Sequence, residues 1–185
     1  MPIRVASGIA LPTAGSTWPV PLNAQEASEW CWLACAQMAG NTPPRSAQLQ
    51  QCQLAQSYVP GAADCCTSKP PPAACNRGGA KTVIQQLFSD HALGFVPVAF
   101  EGSPDETQLL AWLAQGPVQV FWSTPDQAHV ALIVGATLIG KGAYQYVVND
   151  PWPIGSGQVR SLTFDQLQPT IPSSYDWSWD YVWHC

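Results

Sequence analysis

The residue best placed to do chemistry in this chain is Cys31, within Gln25-Glu26-Ala27-Ser28-Glu29-Trp30-Cys31-Trp32-Leu33-Ala34-Cys35. Ser28 is a good N-cap, and Gly40 sits where a C′ glycine would stop a helix of about three turns. Between them lie Leu33, Ala34, Ala36, Gln37, Met38 and Ala39, a run of helix formers without proline. This reading puts Cys31 in the first turn, where unpaired backbone N–H groups and the positive dipole end favour a thiolate. A thiolate there is a nucleophile in need of a base. Gln25, six residues earlier, can turn its side-chain amide toward the same point and donate to a developing oxyanion.

With three histidines in the chain, the search for the base is short. His91 ends a helical pattern and reads as a partner of the helix C-terminal dipole. His184 stands next to the last residue among tryptophans and reads as packed or exposed. His129 opens Val130-Ala131-Leu132-Ile133-Val134-Gly135, a strand buried on both faces, and is the candidate base. A third group must orient the imidazole, and Asn149-Asp150-Pro151-Trp152 offers two. Side chains alternate along a strand, so only one of Asn149 and Asp150 can share the face of His129. A two-residue hairpin loop at Gly140-Lys141 selects Asp150 as a diagonal neighbour, roughly 7–8 Å away between backbones. A three-residue loop selects Asn149 instead.

These residues need elements to hold them. Residues 1–22 carry four prolines and no periodic pattern, which predicts an extended arm, and 23–185 reads as one domain. After the first helix, Asn41-Thr42-Pro43-Pro44 breaks the chain and Ser46 starts a second helix to about Ser57. Val59 to Gly79 is a loop rich in Pro, Gly and Cys, too long to stand in a compact domain without crosslinks. A third helix runs from about Ala80 to Ala92 on Val83, Ile84, Leu87 and Phe88. Beyond Gly94 the pattern changes. Phe95 to Phe100 is a short strand weakened by Pro97. Ser103-Pro104-Asp105-Glu106 reads as a capping box with proline at the first helical position. Strands follow at Val118–Ser123, His129–Ile139, Tyr144–Asp150, Val159–Phe164 and Asp176–His184, the last with Trp177, Trp179 and Trp183 on one face. The fold class is therefore α+β, with a helical, crosslinked part at about 23–93 and an antiparallel β part at about 94–185.

Composition narrows the partners. The 185 residues suffice for one domain with a core or two small lobes sharing a cleft. Twelve acidic and seven basic residues leave a net charge of −5, which argues against a nucleic-acid or anionic-membrane surface. No apolar run approaches the length of a membrane span. Seven cysteines point to an oxidising compartment, although Met1-Pro2-Ile3-Arg4 does not lead into a signal-peptide hydrophobic region. The expectation is a secreted protein in its mature form, without its signal or pro-segment; export by a route other than general secretion is the competing account.

A glutamine six residues before a Cys-Trp pair at a helix start resembles the papain-like cysteine proteases. Gln115-Gly116-Pro117-Val118-Gln119-Val120 is similar to the Gly-Pro-Val strand that leads that family's β lobe, and His129 before a small-apolar run ending in Gly135 resembles its base. An orienting residue followed two positions later by a shielding tryptophan fits Asp150-Pro151-Trp152. Aspartate in place of the family's asparagine is similar to bacterial relatives, the AvrRpt2-type effector proteases and the leader-cleaving proteases of bacteriocin exporters. The resemblance thus favours Asp150 over Asn149. It implies a papain-like fold, with a helical disulfide-rich lobe, an antiparallel β lobe and the active site between them. It also implies Gln25 and the Cys31 N–H as oxyanion hole, and Cys31, His129 and Asp150 as catalytic residues. Cys75-Asn76-Arg77-Gly78-Gly79 resembles the family's Cys-Asn-Gly-Gly with Arg77 inserted, which implies substrate contacts at Gly78 and Gly79; Ala128 and Trp152 are further substrate-side residues.

Setting Cys31 aside leaves Cys35, Cys52, Cys65, Cys66, Cys75 and Cys185, an even set whose pairing spacing cannot choose. The family's bridging cysteine, three residues before the nucleophile, is Ser28 here, and Cys35 is expected to replace it from one turn later. Three bridges and one free thiol, Cys31, are the expectation. No Cys-x-x-Cys pair supports zinc, so no metal and no cofactor are expected. The function expected is a cysteine endopeptidase acting on peptides or proteins as a monomer. The alternatives are a Cys-His-Asp acyltransferase or glutamine deamidase, and a disulfide-rich binding module without catalysis.

Overall fold

The computed structural model describes residues 17–42, 48–91, 104–123, 128–167 and 178–183. The expected strand at 95–100, the Ser46 helix start, Ser103, Trp177, His184, Cys185 and residues 1–16 of the arm lie outside them.

Three helices come first: α1 (Cys31–Gly40), α2 (Gln51–Tyr58) and α3 (Lys81–His91). A fourth, α4 (Glu106–Leu113), precedes the sheet. Strands β1 (Val118–Ser123), β2 (Ala128–Gly140), β3 (Ala143–Asp150), β4 (Gln158–Thr163) and β5 (Ser178–Trp183) follow, with a short helix α5 (Phe164–Leu167) after β4. The strands form one antiparallel sheet in the order β4-β3-β2-β1-β5. The chain is α+β, as its periodicity change predicts.

The long central strand β2 divides the core. Val130, Leu132 and Val134 face α1, α2 and α3, where Trp30, Leu33, Met38, Leu54 and Leu87 complete a cluster. Ala131 and Ile133 face the other way, toward Leu109 and Leu113 of α4 and Tyr146 and Val148 of β3. Strand alternation accounts for this division. Helix α1 is buried along nearly its whole length because helices and sheet enclose it. Asp105 caps α4, its Oδ1 accepting from the Gln108 N–H at 2.7 Å. Across the second cluster, the Tyr146 hydroxyl donates to Glu106 Oε1 at 3.0 Å and ties α4 to β3.

The β2–β3 hairpin turns at Lys141-Gly142 with Gly140 opposite Ala143, one residue later than the expected Gly140-Lys141 loop. Two register shifts follow, between Leu138 and Gly140 and between Ile133 and Gly135. The second lies where the arm docks: Trp18 N–H donates to the Val134 carbonyl at 2.8 Å, and Thr17 bridges to Gly135. The Trp18 indole donates to the Leu113 carbonyl at 2.8 Å, so the end of the arm is extended and fastened to both β2 and α4.

Candidate active site

Cys31 is the first residue of α1, but the entry to the helix differs from the sequence expectation. Trp30 is the N-cap and offers no side-chain cap; Ser28 lies in the preceding turn, its Oγ accepting from Asn76 Nδ2 at 2.9 Å. Gly40 is the last helical residue and Asn41 the C-cap. The aromatic residue at the cap has another use. Its indole donates to the Cys75 carbonyl at 2.8 Å, while Trp32 donates to the Arg77 carbonyl at 3.2 Å. Asn76 Oδ1 accepts from the Glu29 N–H at 3.0 Å. Residues 75–79 are thus strapped to the turn that carries Cys31. The first bond of the helix runs from Ala34 N–H to Trp30 O, so the Cys31 N–H precedes the ladder and has no backbone partner among the described residues.

His129 stands at the mouth of β2, and its Nε2 lies 2.8 Å from Asp150 Oδ1. Nδ1 is the ring nitrogen left to face Cys31, whose side chain helps to raise the His129 pKa. Burial alone would lower the His129 pKa, but the bonds to Asp150 and Cys31 outweigh it and raise it to about 9. Across the strand pair, Trp122 lies opposite His129 with its ring nearly parallel, 12° between planes and 6.2 Å between centroids.

The Asp150 side chain is only 4% exposed and each of its oxygens has two partners. Oδ1 accepts from His129 and from the Trp152 N–H at 3.0 Å; Oδ2 accepts from Gln158 Nε2 at 3.4 Å and Arg160 at 3.3 Å. Burial pushes its pKa up, yet the hydrogen bond and charge of His129, with help from Trp152 and Arg160, hold it below the ordinary carboxylate value. Asn149 points to the opposite face, donating to the Val20 carbonyl at 3.1 Å. Trp152 reaches Asp150 through its backbone, with its side chain half exposed at the cleft.

Gln25 is 1% exposed and firmly held. Its N–H donates to Pro151 O and its carbonyl accepts from Gly155 N–H, both at 3.0 Å. Gln51 of α2 clamps both neighbours, donating to Ala24 O at 2.8 Å and accepting from Glu26 N–H at 2.9 Å. The Gln25 side-chain nitrogen donates to the carbonyls of Ala27 at 2.8 Å and Ser28 at 2.9 Å, and its buried Oε1 has no partner among the described residues.

All these groups open on one cleft of about 580 Å³, which Gln25, Cys31, His129 and Asp150 line together with Gly78, Gly79, Ala128 and Trp152. Glu29, Gln158 and Arg160 line it too, and sequence reasoning missed them. The pairing of β3 with β4, which sets Gln158 opposite Asp150 and Arg160 opposite Val148, is the signal that could have found the last two. Gly79 is tight: a Cβ there would come within 2.7 Å of Trp32 Cδ2 and 2.8 Å of Ile84 Cγ1.

The cysteine expectation needs a correction. Cys52–Cys66 and Cys65–Cys75 are bridged, with Cα–Cα separations of 5.0 and 5.6 Å. Cys35 is a free thiol, buried one turn below Cys31, and forms no bridge. Its side chain is enclosed in the α1 cluster, where a small apolar group packs well and the two nearby crosslinks already fasten the 59–79 loop.

A thiol at a helix start, an imidazole facing it across the cleft and a carboxylate behind that imidazole are groups that can carry acyl transfer through a thioester. The family model for the papain-like cysteine protease AvrRpt2 matches residues 15–170. The match spans most of the chain, which therefore belongs to this family of papain-like cysteine peptidases. Comparison with the curated proteins finds no match.

Proposed function

We propose that this member of the AvrRpt2 family is a cysteine endopeptidase that cleaves peptide bonds through Cys31, His129 and Asp150. One observation carries the reading: the imidazole of His129 shares one cleft with Cys31 and stands 2.8 Å from Asp150. The raised pKa of about 9 keeps the His129 imidazolium cationic at neutral pH, beside the sulfur that attacks in its thiolate form. The sulfur attacks the scissile carbonyl, and the free Cys31 N–H receives the oxyanion. Gln25 is the second donor, turning one N–H from the Ser28 carbonyl toward the oxygen. His129 gives its proton to the departing amine, then takes one from the water that clears the thioester. Asp150, saturated by four donors, fixes the ring and its tautomer.

The helical part with its two bridges forms one wall of the cleft and the sheet the other, which supports a two-lobed papain-like reading of a single catalytic domain at 23–185. Peptides or proteins are the substrates, and the reaction as drawn needs no cofactor. The bridges Cys52–Cys66 and Cys65–Cys75 favour action in an oxidising, extracellular compartment.

The test is a peptide library digested by wild type and Cys31→Ala side by side. The variant should lose turnover by about 10³-fold or more and still bind peptide. Normal cleavage by the alanine variant would overturn the assignment.

A further inference from the structure

We propose that the Glu29 carboxylate selects the substrate, favouring lysine or arginine as the residue that supplies the scissile carbonyl. The inference rests on the peptidase reading above and adds the substrate class to it.

Glu29 lies two residues before Cys31, exposed in the turn that enters α1, and lines the cleft beside Cys31, Gly78 and Gly79. Its Oε2 is 3.7 Å from where a Cβ on Gly78 would sit, so the carboxylate borders the strip of cleft that the glycines leave open. The backbone beneath it is fixed by the Asn76 bond at 3.0 Å. The other charged groups of the cleft are already matched: Asp150 by His129 and Arg160, and each of those by Asp150. Outside it, Lys69 pairs with Glu26. Among the described residues no cation stands within ion-pair distance of Glu29; Arg77, next to Gly78, forms no ion pair with it. Among the described residues, Glu29 is thus the charge of the cleft wall without an ion-pair partner.

The chemistry fixes which half of the substrate meets it. His129 must reach the leaving nitrogen, so the chain beyond the scissile bond departs along the wall of His129 and Trp152. The acyl half stays on the sulfur and rests on the other wall, where Gly78, Gly79 and Glu29 lie. A cationic side chain extending from the acyl residue meets the carboxylate at the exposed rim of the cleft, where an ion pair adds a modest preference.

The experiment uses internally quenched peptides that differ only in that residue, as Lys, Arg, Gln, Leu or Glu. Wild type should cleave the Lys and Arg peptides with kcat/KM about three-fold above the Gln peptide. Glu29→Gln should level this profile, and Glu29→Lys should turn it toward the Glu peptide, a gain that a misfolded variant cannot produce. A profile unchanged in both variants, with cleavage still dependent on Cys31, would overturn the proposal and leave the peptidase reading intact. A wild type inert toward the whole panel, or cleavage that survives Cys31→Ala, would overturn the peptidase reading instead and this proposal with it.

Discussion

His129 reaches Asp150 at 2.8 Å although the two residues are not opposite each other in the sheet. Counted from the turn, where Gly140 faces Ala143, a regular ladder would set Asp150 against Ile133, four residues from His129. The two register shifts on β2 bring Ile133 opposite Val148 instead, and the same register sets Asp150 level with Ala131. The carboxylate gains two residues, roughly 6–7 Å along the strand, and keeps the face of the histidine. One shift alone would have offered Asn149.

The pairing has a pH signature. The His129 pKa is raised from 6.5 to about 9, so its contribution to folding is complete below about pH 6.5 and lost as pH rises through 9. The Asp150 pKa is lowered from 3.8, so its contribution is complete above about that value and lost as pH falls through the depressed one. The melting temperature should therefore hold between these limits and decline from pH 6.5 to 9. The kcat/KM profile should fall on its alkaline side near 9, and Asp150→Asn should move that limb toward 6.5. A limb indifferent to this substitution would contradict the role given to Asp150.

Arg160, with its side chain 44% exposed, steadies a carboxylate that is 4% exposed. We expect Arg160→Met to lower kcat about three- to ten-fold with little change in KM, and Arg160→Lys to recover part of the loss. Because a less neutralised Asp150 holds the imidazolium more tightly, the alkaline limb in Arg160→Met should also move up. A change confined to KM would assign Arg160 to substrate binding.

The two free thiols among the described residues should separate by reactivity. Cys35 is fully enclosed, and its pKa is driven well up by burial and then by the charges of Cys31 and Asp150. Iodoacetamide on the native protein should therefore modify Cys31 and spare Cys35 until the chain is unfolded. Peptide mass spectrometry reads the outcome; Cys35 found in a bridge, or alkylated as fast as Cys31, would contradict it.

Gly79→Ala puts a methyl group against the Trp32 ring and Ile84, at 2.7 and 2.8 Å. Relieving that overlap should cost about 1–3 kcal/mol of stability. Since Trp32 also holds the Arg77 carbonyl, the glycine strip should shift, and KM should rise more than kcat falls. Thermal melts and steady-state kinetics measure the two effects. Gly78→Ala, whose Cβ would meet only Glu29 at 3.7 Å, should be milder on stability.

Local chemistry made much of this legible. The helix after Trp30, the strands after Pro117 and the crosslinked loop follow from helix propensity, period-two patterning and clustered cysteines, each written within a dozen or so residues. Chain order and short motifs sufficed to suggest the family and to name Cys31, His129 and Asp150, which the fold brings to one cleft. Two expectations failed because they depended on neighbours remote in sequence. Ser28 suits a cap, but Asn76 takes its hydroxyl and the helix starts later. Cys35 suits a bridge, but packing against helices and sheet encloses it as a thiol.

Residue types and periodicity by themselves determined an α+β chain with a cysteine at a helix start and a histidine at a strand mouth, because those choices depend on backbone preferences and side-chain alternation. Only the tertiary structure decided that Asp150 would come within 2.8 Å of His129, that Gln158 and Arg160 would hold it, and that Glu29 would line the cleft. Bulges, cross-strand register and the packing of a loop against a helix set those distances, and they are properties of surfaces brought together by folding rather than of any one segment.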